Sequence, residues 1–365
     1  MPKQVQIRRD TAALWTSTDP TLAEGELGME TDTGKLKIGN GTNTWKQLTY
    51  LANTSPAGPL VQGSSTGYAI GGTAHPAVTS NRFTTIDTFA FASDGDATDV
   101  GDIPSDKRYL VAPSTSSSHA YYSGGGPSVT NEIIKIPFST PIVITDVGDL
   151  SAARMSVYGG TSSTNGYAAG GRTPTPISTI DKYPFSTDAN ATDVGDLTLA
   201  RYNVSGSANC SSSVAVYGVG GTTGSLRDII DKMPFSAEGT ATDVGDIGRN
   251  VHYLATCNSQ DHGYSFAGYP APTSVNREGI DKFSYSSDGD STITQDLFRG
   301  VWARGSSSST SSGYATGGRN YPGDPTGPNS TISNSIDKFP FANNSTGTDV
   351  GDLTAARYSA AGNQV

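Results

Sequence analysis

The sequence predicts an all-β fold in two parts: a small N-terminal β domain over residues 1–50, and an array of six four-stranded units over residues 64–365. Residues 51–63 read as the linker between them. Three observations carry this reading: a strong internal period, the lack of helical periodicity beyond residue 60, and a composition rich in turn-forming residues. The chain holds 44 Gly and 20 Pro, is 34% hydrophobic, and its Leu, Ile, Val and Phe together make up fewer than one residue in five. Such a composition marks disorder when it accompanies high net charge or lacks a period. Here the formal net charge is only -10 over 365 residues, so the period decides, and a chain of this length can bury a core.

The first fifty residues stand outside the period. They read as a strand at Val5 to Arg8, a short helix around Ala12 to Thr16, and a hairpin. In the hairpin Glu26 to Asp32 turns at Thr33-Gly34 and Lys35 to Ile38 returns. The turn Gly39-Asn40-Gly41 leads on to Trp45 and Leu48. So short a segment cannot bury an independent core, which makes oligomerisation the expected support. The residues expected to attach and oligomerise the module are Trp15, Leu27, Met29, Leu36, Ile38 and Trp45.

From residue 64 three strings keep step. TDVGD begins at Thr98, Thr145, Thr192, Thr242 and Thr348, with a degenerate TITQD at Thr292; the last Asp recurs at steps of 47, 47, 50, 50 and 56 residues. An aromatic-glycine string starts at Gly67, Ala120, Gly166, Val216, Gly263 and Gly313. A short apolar run, IDKFPF in its sixth copy, starts at Ile86, Ile133, Ile180, Ile230, Ile280 and Ile336. Each unit thus holds three or four segments rich in Tyr, Phe, Ile and Val between Gly, Ser, Asn, Asp and Pro, the pattern of short antiparallel strands. Six units of about 50 residues match the blades of a β-propeller.

The chain ends at Arg357 to Val365 inside what would be a first strand, whereas Gly67 to Gly72 lacks one. The C-terminal strand is therefore expected to join the N-terminal unit and close the ring, which leaves only short edges. Between the Gly-Gly strand and the apolar strand the loops run to 13, 7, 8, 8, 11 and 17 residues, more varied than the rest of the unit. Insertions in repeat proteins gather on one face, often the binding face. The loop candidates for ligand binding are His75, Arg172, Tyr269, Arg319, Asn320, Tyr321 and Asp324.

Two resemblances follow from these residues. The order Arg-aromatic, small residues, aromatic strand ending in Gly-Gly, loop and apolar strand resembles a kelch blade, as in Arg201-Tyr202 and Gly220-Gly221. The opening segment closely resembles the N-terminal module of phage tail fibres and receptor-binding proteins of the major tropism determinant type. It does so through Gln6-Ile7-Arg8-Arg9, Trp15, Leu22-Ala23-Glu24-Gly25-Glu26-Leu27-Gly28, Glu30 to Lys35, Lys37-Ile38-Gly39 and Gly41 before Trp45. That resemblance implies a trimeric module that docks on the virion, and hence a tail-fibre protein assembled in the host cytoplasm. Its partners would be itself as a homotrimer, other tail or baseplate proteins, and a host surface glycan or protein.

Other functions recede. A pI near 4.8 without a basic stripe argues against nucleic acid. No stretch is long and apolar enough for membrane insertion, and MPKQVQIRRD shows no secretion signal. Cys210 and Cys257 read as spare buried thiols. The TDVGD carboxylates could hold a hard cation, but a turn cap plus a contact to the following Arg, as in Asp149 with Arg154 or Asp352 with Arg357, accounts for them without a metal. No cofactor and no catalytic constellation is expected, since His75, His119, His252 and His262 recur at no fixed place. The alternatives are a polysaccharide depolymerase and a structural or decoration protein that binds other virion proteins.

Overall fold

The computed structural model describes residues 7–32, 35–48, 62–74, 82–104, 113–126, 129–202, 209–211, 214–270, 278–320 and 332–365. The chain divides into two compact units, Met1–Ala57 and Gly58–Val365. In the first, strand β1 (Arg8–Asp10) leads through helix α1 (Ala12–Thr18) to strands β2 (Leu27–Glu30) and β3 (Leu36–Ile38). Thr11 starts the helix by accepting the Leu14 amide on its hydroxyl, and Asp19 ends it in the left-handed conformation. The sheet runs β1-β2-β3, with β1 and β2 parallel and β2 and β3 antiparallel.

Among its described residues the second unit holds strands and no helix. It forms six four-stranded sheets, each antiparallel throughout, named here in chain order. Sheet three shows the plan: Tyr158–Thr161, Asn165–Ala169, Thr179–Pro184 and Thr192–Asp196. The aromatic-glycine string is the second strand, the apolar run the third and TDVGD the fourth. Sheet one takes its first strand from the C-terminus: Ala361–Gln364 pairs with Gly67 to Ile70, as the sequence leads one to expect. The first strands touch in order from sheet to sheet, and that of sheet one touches both sheet two and sheet six.

Apolar side chains lie between neighbouring sheets, including sheets six and one, where Tyr314, Ile336 and Leu353 pack on Ala69 and Phe89. One second-strand Tyr of each sheet packs on an aromatic ring of the next sheet. The pairs are Tyr68 with Phe138, Tyr121 with Phe185, Tyr167 with Phe235, Tyr217 with Tyr285, Tyr264 with Phe341 and Tyr314 with Phe91, at centroid distances of 4.8 to 5.1 Å. A few large rings per sheet therefore do the work of many aliphatic residues. Where the first strands converge there is room only for small residues. Ser114 Oγ donates to the Gly160 carbonyl at 2.7 Å, Ser306 Oγ to that of Thr256 at 2.8 Å and Ser307 Oγ to that of Asn363 at 2.8 Å. The Ser and Gly excess thus builds a hydrogen-bonded centre.

Buried ion pairs lock five sheets. The Asp of the apolar run meets a fully or nearly buried Arg in Arg154–Asp181 (2.9 Å), Arg201–Asp231 (2.7 Å), Arg249–Asp281 (2.8 Å), Arg304–Asp337 and Arg357–Asp87 (2.8 Å). Sheet two carries Ile134 at this place. This corrects the expected contact of Asp149 with Arg154 and of Asp352 with Arg357: the arginines turn inward to the third strand. The TDVGD carboxylates bond close to their own strand instead: Asp193 accepts the Gly195 amide at 3.1 Å within the string, and Asp196 accepts the hydroxyl of Ser178, beside the paired third strand, at 2.7 Å. Gly195 is required because a Cβ there would overlap the Gly239 carbonyl of the next sheet.

Cys257 is a buried free thiol, and the Cys210 side chain lies outside the described residues. Among the described residues no helix is long and apolar enough to cross a membrane, and no group of three His, Cys, Asp or Glu side chains is placed to hold a metal ion.

Candidate functional site

In every sheet the antiparallel order brings the start of the first strand, the end of the second and the loop to the third to one end of the ladder. At that end the repeat places one side chain at or shortly before the start of the first strand: Met155, Tyr202, His252, Trp302 or Tyr358. The following residue then turns the chain with a positive φ, as at Ser156 (57°), Tyr253 (55°), Ala303 (54°) and Ser359 (53°). These non-glycine residues sit in a costly backbone region that tends to persist where surroundings or function demand it.

Sheets five, six and one gather these side chains into an aromatic cluster with a cation. His252 pairs with Tyr269 across the ladder, ring centroids 5.6 Å apart. Trp302 lies 5.5 Å from both Tyr253 and Tyr269 and 6.1 Å from Tyr358. Arg319, opposite Trp302 in a short ladder that also pairs Asn320 with Val301, lies 5.5 Å over the Trp302 ring and 5.8 Å over Tyr358. Tyr269 is 38% exposed, Trp302 is half-buried, and Trp302 Nε1 is buried with no acceptor among the described residues. Burial lowers the His252 pKa and favours a neutral imidazole. Rigid Trp, Tyr and Arg side chains grouped at an open end supply flat apolar faces and fixed donors, the chemistry of a binding surface.

Of the loop candidates, Tyr269, Arg319 and Asn320 come together here. Arg172 stands apart at sheets three and four, 4.6 Å over Tyr202. His75, Tyr321 and Asp324 lie outside the described residues. The loop lengths do not point to His252, Tyr253, Trp302 or Tyr358; the signal that could have found them is the Arg-aromatic step, which sets one side chain per unit at this end.

In the N-terminal unit Trp15 and Trp45 form the interior, stacked at 4.1 Å beside Leu22 and Leu48. Trp15 Nε1 donates to the Met29 carbonyl at 2.9 Å, and Lys37 Nζ to that of Trp45 at 2.7 Å. Burial lowers the Lys37 pKa, while Glu30 and Asp19 act against it. The sheet face on this core carries Gly28, Glu30 and Lys37. The other face carries the cross-strand pairs Leu27 with Ile38 and Met29 with Leu36, half-buried except for Ile38, which is exposed.

Residues 5–43 match the N-terminal domain of the major tropism determinant family. The chain is also similar to proteins named hyaluronoglucosaminidase from two Streptococcus pyogenes phages, at 49% identity over 51 residues and 42% over 52. Each match covers 14% of this chain and only 14 to 15% of the phage protein's length. A tropism-determinant module shared with phage proteins supports a phage tail protein.

Proposed function

We propose that this chain is a homotrimeric tail-fibre protein whose N-terminal module attaches to the particle and whose second unit, a six-bladed propeller of kelch-like blades closed by the C-terminal strand, binds a host surface glycan without cleaving it. The propeller reading is supported by the cyclic contact of the six first strands and the aromatic ring pair repeated between all neighbouring sheets. The observation that carries the binding reading is the cluster of exposed Tyr269, half-buried Trp302 and Arg319, and the buried Tyr358 beneath them. Aromatic faces stack on the C–H faces of sugars while Arg and Asn address the hydroxyls.

The full-length chain is expected to adsorb to susceptible cells and to compete with infection. Trp302→Ala combined with Arg319→Ala should weaken adsorption at least tenfold, since Trp and Arg truncations at a binding centre cost about 2 kcal/mol or more. Adsorption equal to wild type would sink this assignment; loss of particle integrity without any cell binding would favour a structural role.

The trimer reading rests on the Leu27, Met29, Leu36 and Ile38 face, which leaves apolar area for a partner copy to cover. Sedimentation should find a trimer for the wild type and a monomer for Leu27→Glu with Ile38→Glu. A monomeric wild type defeats the proposal.

A second reading, a polysaccharide-cleaving protein, draws on the name of the two phage relatives. Among the described residues the cluster holds aromatic rings and one cation but none of the paired carboxylates that glycoside hydrolysis ordinarily uses. Incubation with host polysaccharide followed by a size assay decides: released oligosaccharides establish cleavage.

A further inference from the structure

The ends of the strands opposite the aromatic cluster carry their own repeated device, present at four of the six sheet junctions. In the third strand the Lys after the Ile-Asp or Ile-Ile step reaches an acid in the outer hairpin of the next sheet: Lys135 to Asp188 (2.7 Å), Lys182 to Glu238, Lys232 to Asp288 (2.8 Å) and Lys338 to Asp94 (3.0 Å). Between sheets one and two both partners are gone, replaced by Thr88 and Pro141. Between sheets five and six only the acid is gone: Lys282 remains and Asn344 stands at the hairpin position of Asp188, Glu238, Asp288 and Asp94.

A cavity of about 350 Å³ opens at this break, lined by Lys282, Asn344, His262, Ser284, Thr292 and Thr294 among others. The same sheet carries the degenerate TITQD, in which Gln295 replaces the Gly that elsewhere rests against the next hairpin. With its amide oriented to donate, Gln295 meets the Asn343 and Ser345 carbonyls at 3.1 Å, so a side chain props the hairpin where backbone otherwise packs on backbone. Among the described residues Lys282 has no carboxylate within ion-pair distance; its ammonium lies 5.6 Å from the centre of the Tyr264 ring. The two other acids on the cavity wall are engaged, Asp288 by Lys232 and Asp290 by the Asp246 amide at 3.0 Å.

We infer that this cleft binds the carboxylate of a sugar acid, which takes the place of the missing hairpin acid. The repeat has already built the lysine's half of a carboxylate pair four times over. The cavity is large enough for one sugar ring, and its hydroxyl and amide lining suits a polyol. His262, its pKa lowered by burial and by Lys282, stays neutral and offers a hydrogen bond. The site does not depend on the host-surface reading: Trp302→Ala should change adsorption and leave this cleft's binding unaltered.

Calorimetric titration of the full chain with D-galacturonate tests it, with D-galactose as the uncharged ring and acetate as the charge without a ring. Saturable, salt-sensitive binding of galacturonate alone is expected, weakened at least tenfold by Lys282→Met. Asn344→Asp should abolish it as well by restoring the internal pair, with the unfolding midpoint held or raised to show an intact fold. No saturable heat with galacturonate, equal binding of acetate, or affinity unchanged in Asn344→Asp would overturn the inference.

Discussion

Asp231→Ala should destabilise the chain by about 3–5 kcal/mol, the usual cost of removing one member of a buried ion pair. Asp231 accepts from Arg201 Nη1 at 2.7 Å and from the Thr198 amide and hydroxyl at 2.9 and 2.5 Å, and neither side chain of the pair touches solvent. Its loss leaves the Arg201 guanidinium charged in the interior, since Arg does not give up its proton. Among the described residues Arg201 then keeps only the Gly218 carbonyl and the Tyr158 hydroxyl as partners, at 2.9 and 3.0 Å. Replacing both members, Arg201→Leu with Asp231→Ile, should recover much of the loss, because a well-packed apolar pair is often no worse than a buried ionic one. Ile134 in sheet two shows that the fold accepts an apolar residue at this place. Denaturant unfolding of the three proteins measures this; a loss below about 1 kcal/mol for Asp231→Ala would mean that the pair orients strands and contributes little stability.

The arginines also show why part of this fold was hidden in the sequence. Arg154, Arg201 and Arg357 precede the first strand at the same repeat position, which made them visible. In sheets five and six that position holds Val251 and Val301, and the guanidinium comes from Arg249, two residues earlier, or Arg304, three residues later. Three local routes thus reach one carboxylate, and a search for fixed spacing finds only the first. Strand order and the C-terminal pairing were legible because glycine turns and alternating aromatics encode them locally. The partner of each Arg was not, because Arg154 and Asp181 are 27 residues apart and the nearer Asp149 offered an equally simple contact.

The proposed binding surface was half legible for a related reason. Tyr269, Arg319 and Asn320 lie in or beside loops of unusual length, whereas Trp302 and Tyr358 enter from connections of ordinary length and meet Arg319 only when three sheets converge. In the N-terminal module the alternation of β2 and β3 was plain, but which face is inside depends on the two tryptophans. A sheet reading Leu-Gly-Met-Glu would ordinarily turn Leu and Met inward; here the tryptophans cover the other face, and its inward position must be Gly28, since a Cβ there would stand 2.5 Å from the Trp45 ring.

That arrangement makes Trp45→Ala the second large effect. The unit's core among the described residues is Trp15, Leu22, Trp45 and Leu48, and Trp45 alone closes the stack on Trp15, lies 4.8 Å from the Lys37 ammonium and covers Gly28. Truncating a buried Trp to Ala costs about 3–5 kcal/mol, and a core this small rarely supplies more than that in total. The first unit should therefore unfold as a whole while the second keeps its structure, since the chain divides into separate compact units at Ala57. Limited proteolysis of the full-length variant should remove the N-terminal unit and leave a resistant fragment that begins near Gly58 and still adsorbs to cells. Trp45→Phe, which retains a ring, should resist cleavage far better. An Ala variant as resistant as the wild type would place the unit's stability elsewhere, in contacts with partner copies across the Leu27 and Ile38 face. The proposed trimer of this variant should then survive dilution as well as that of the wild type.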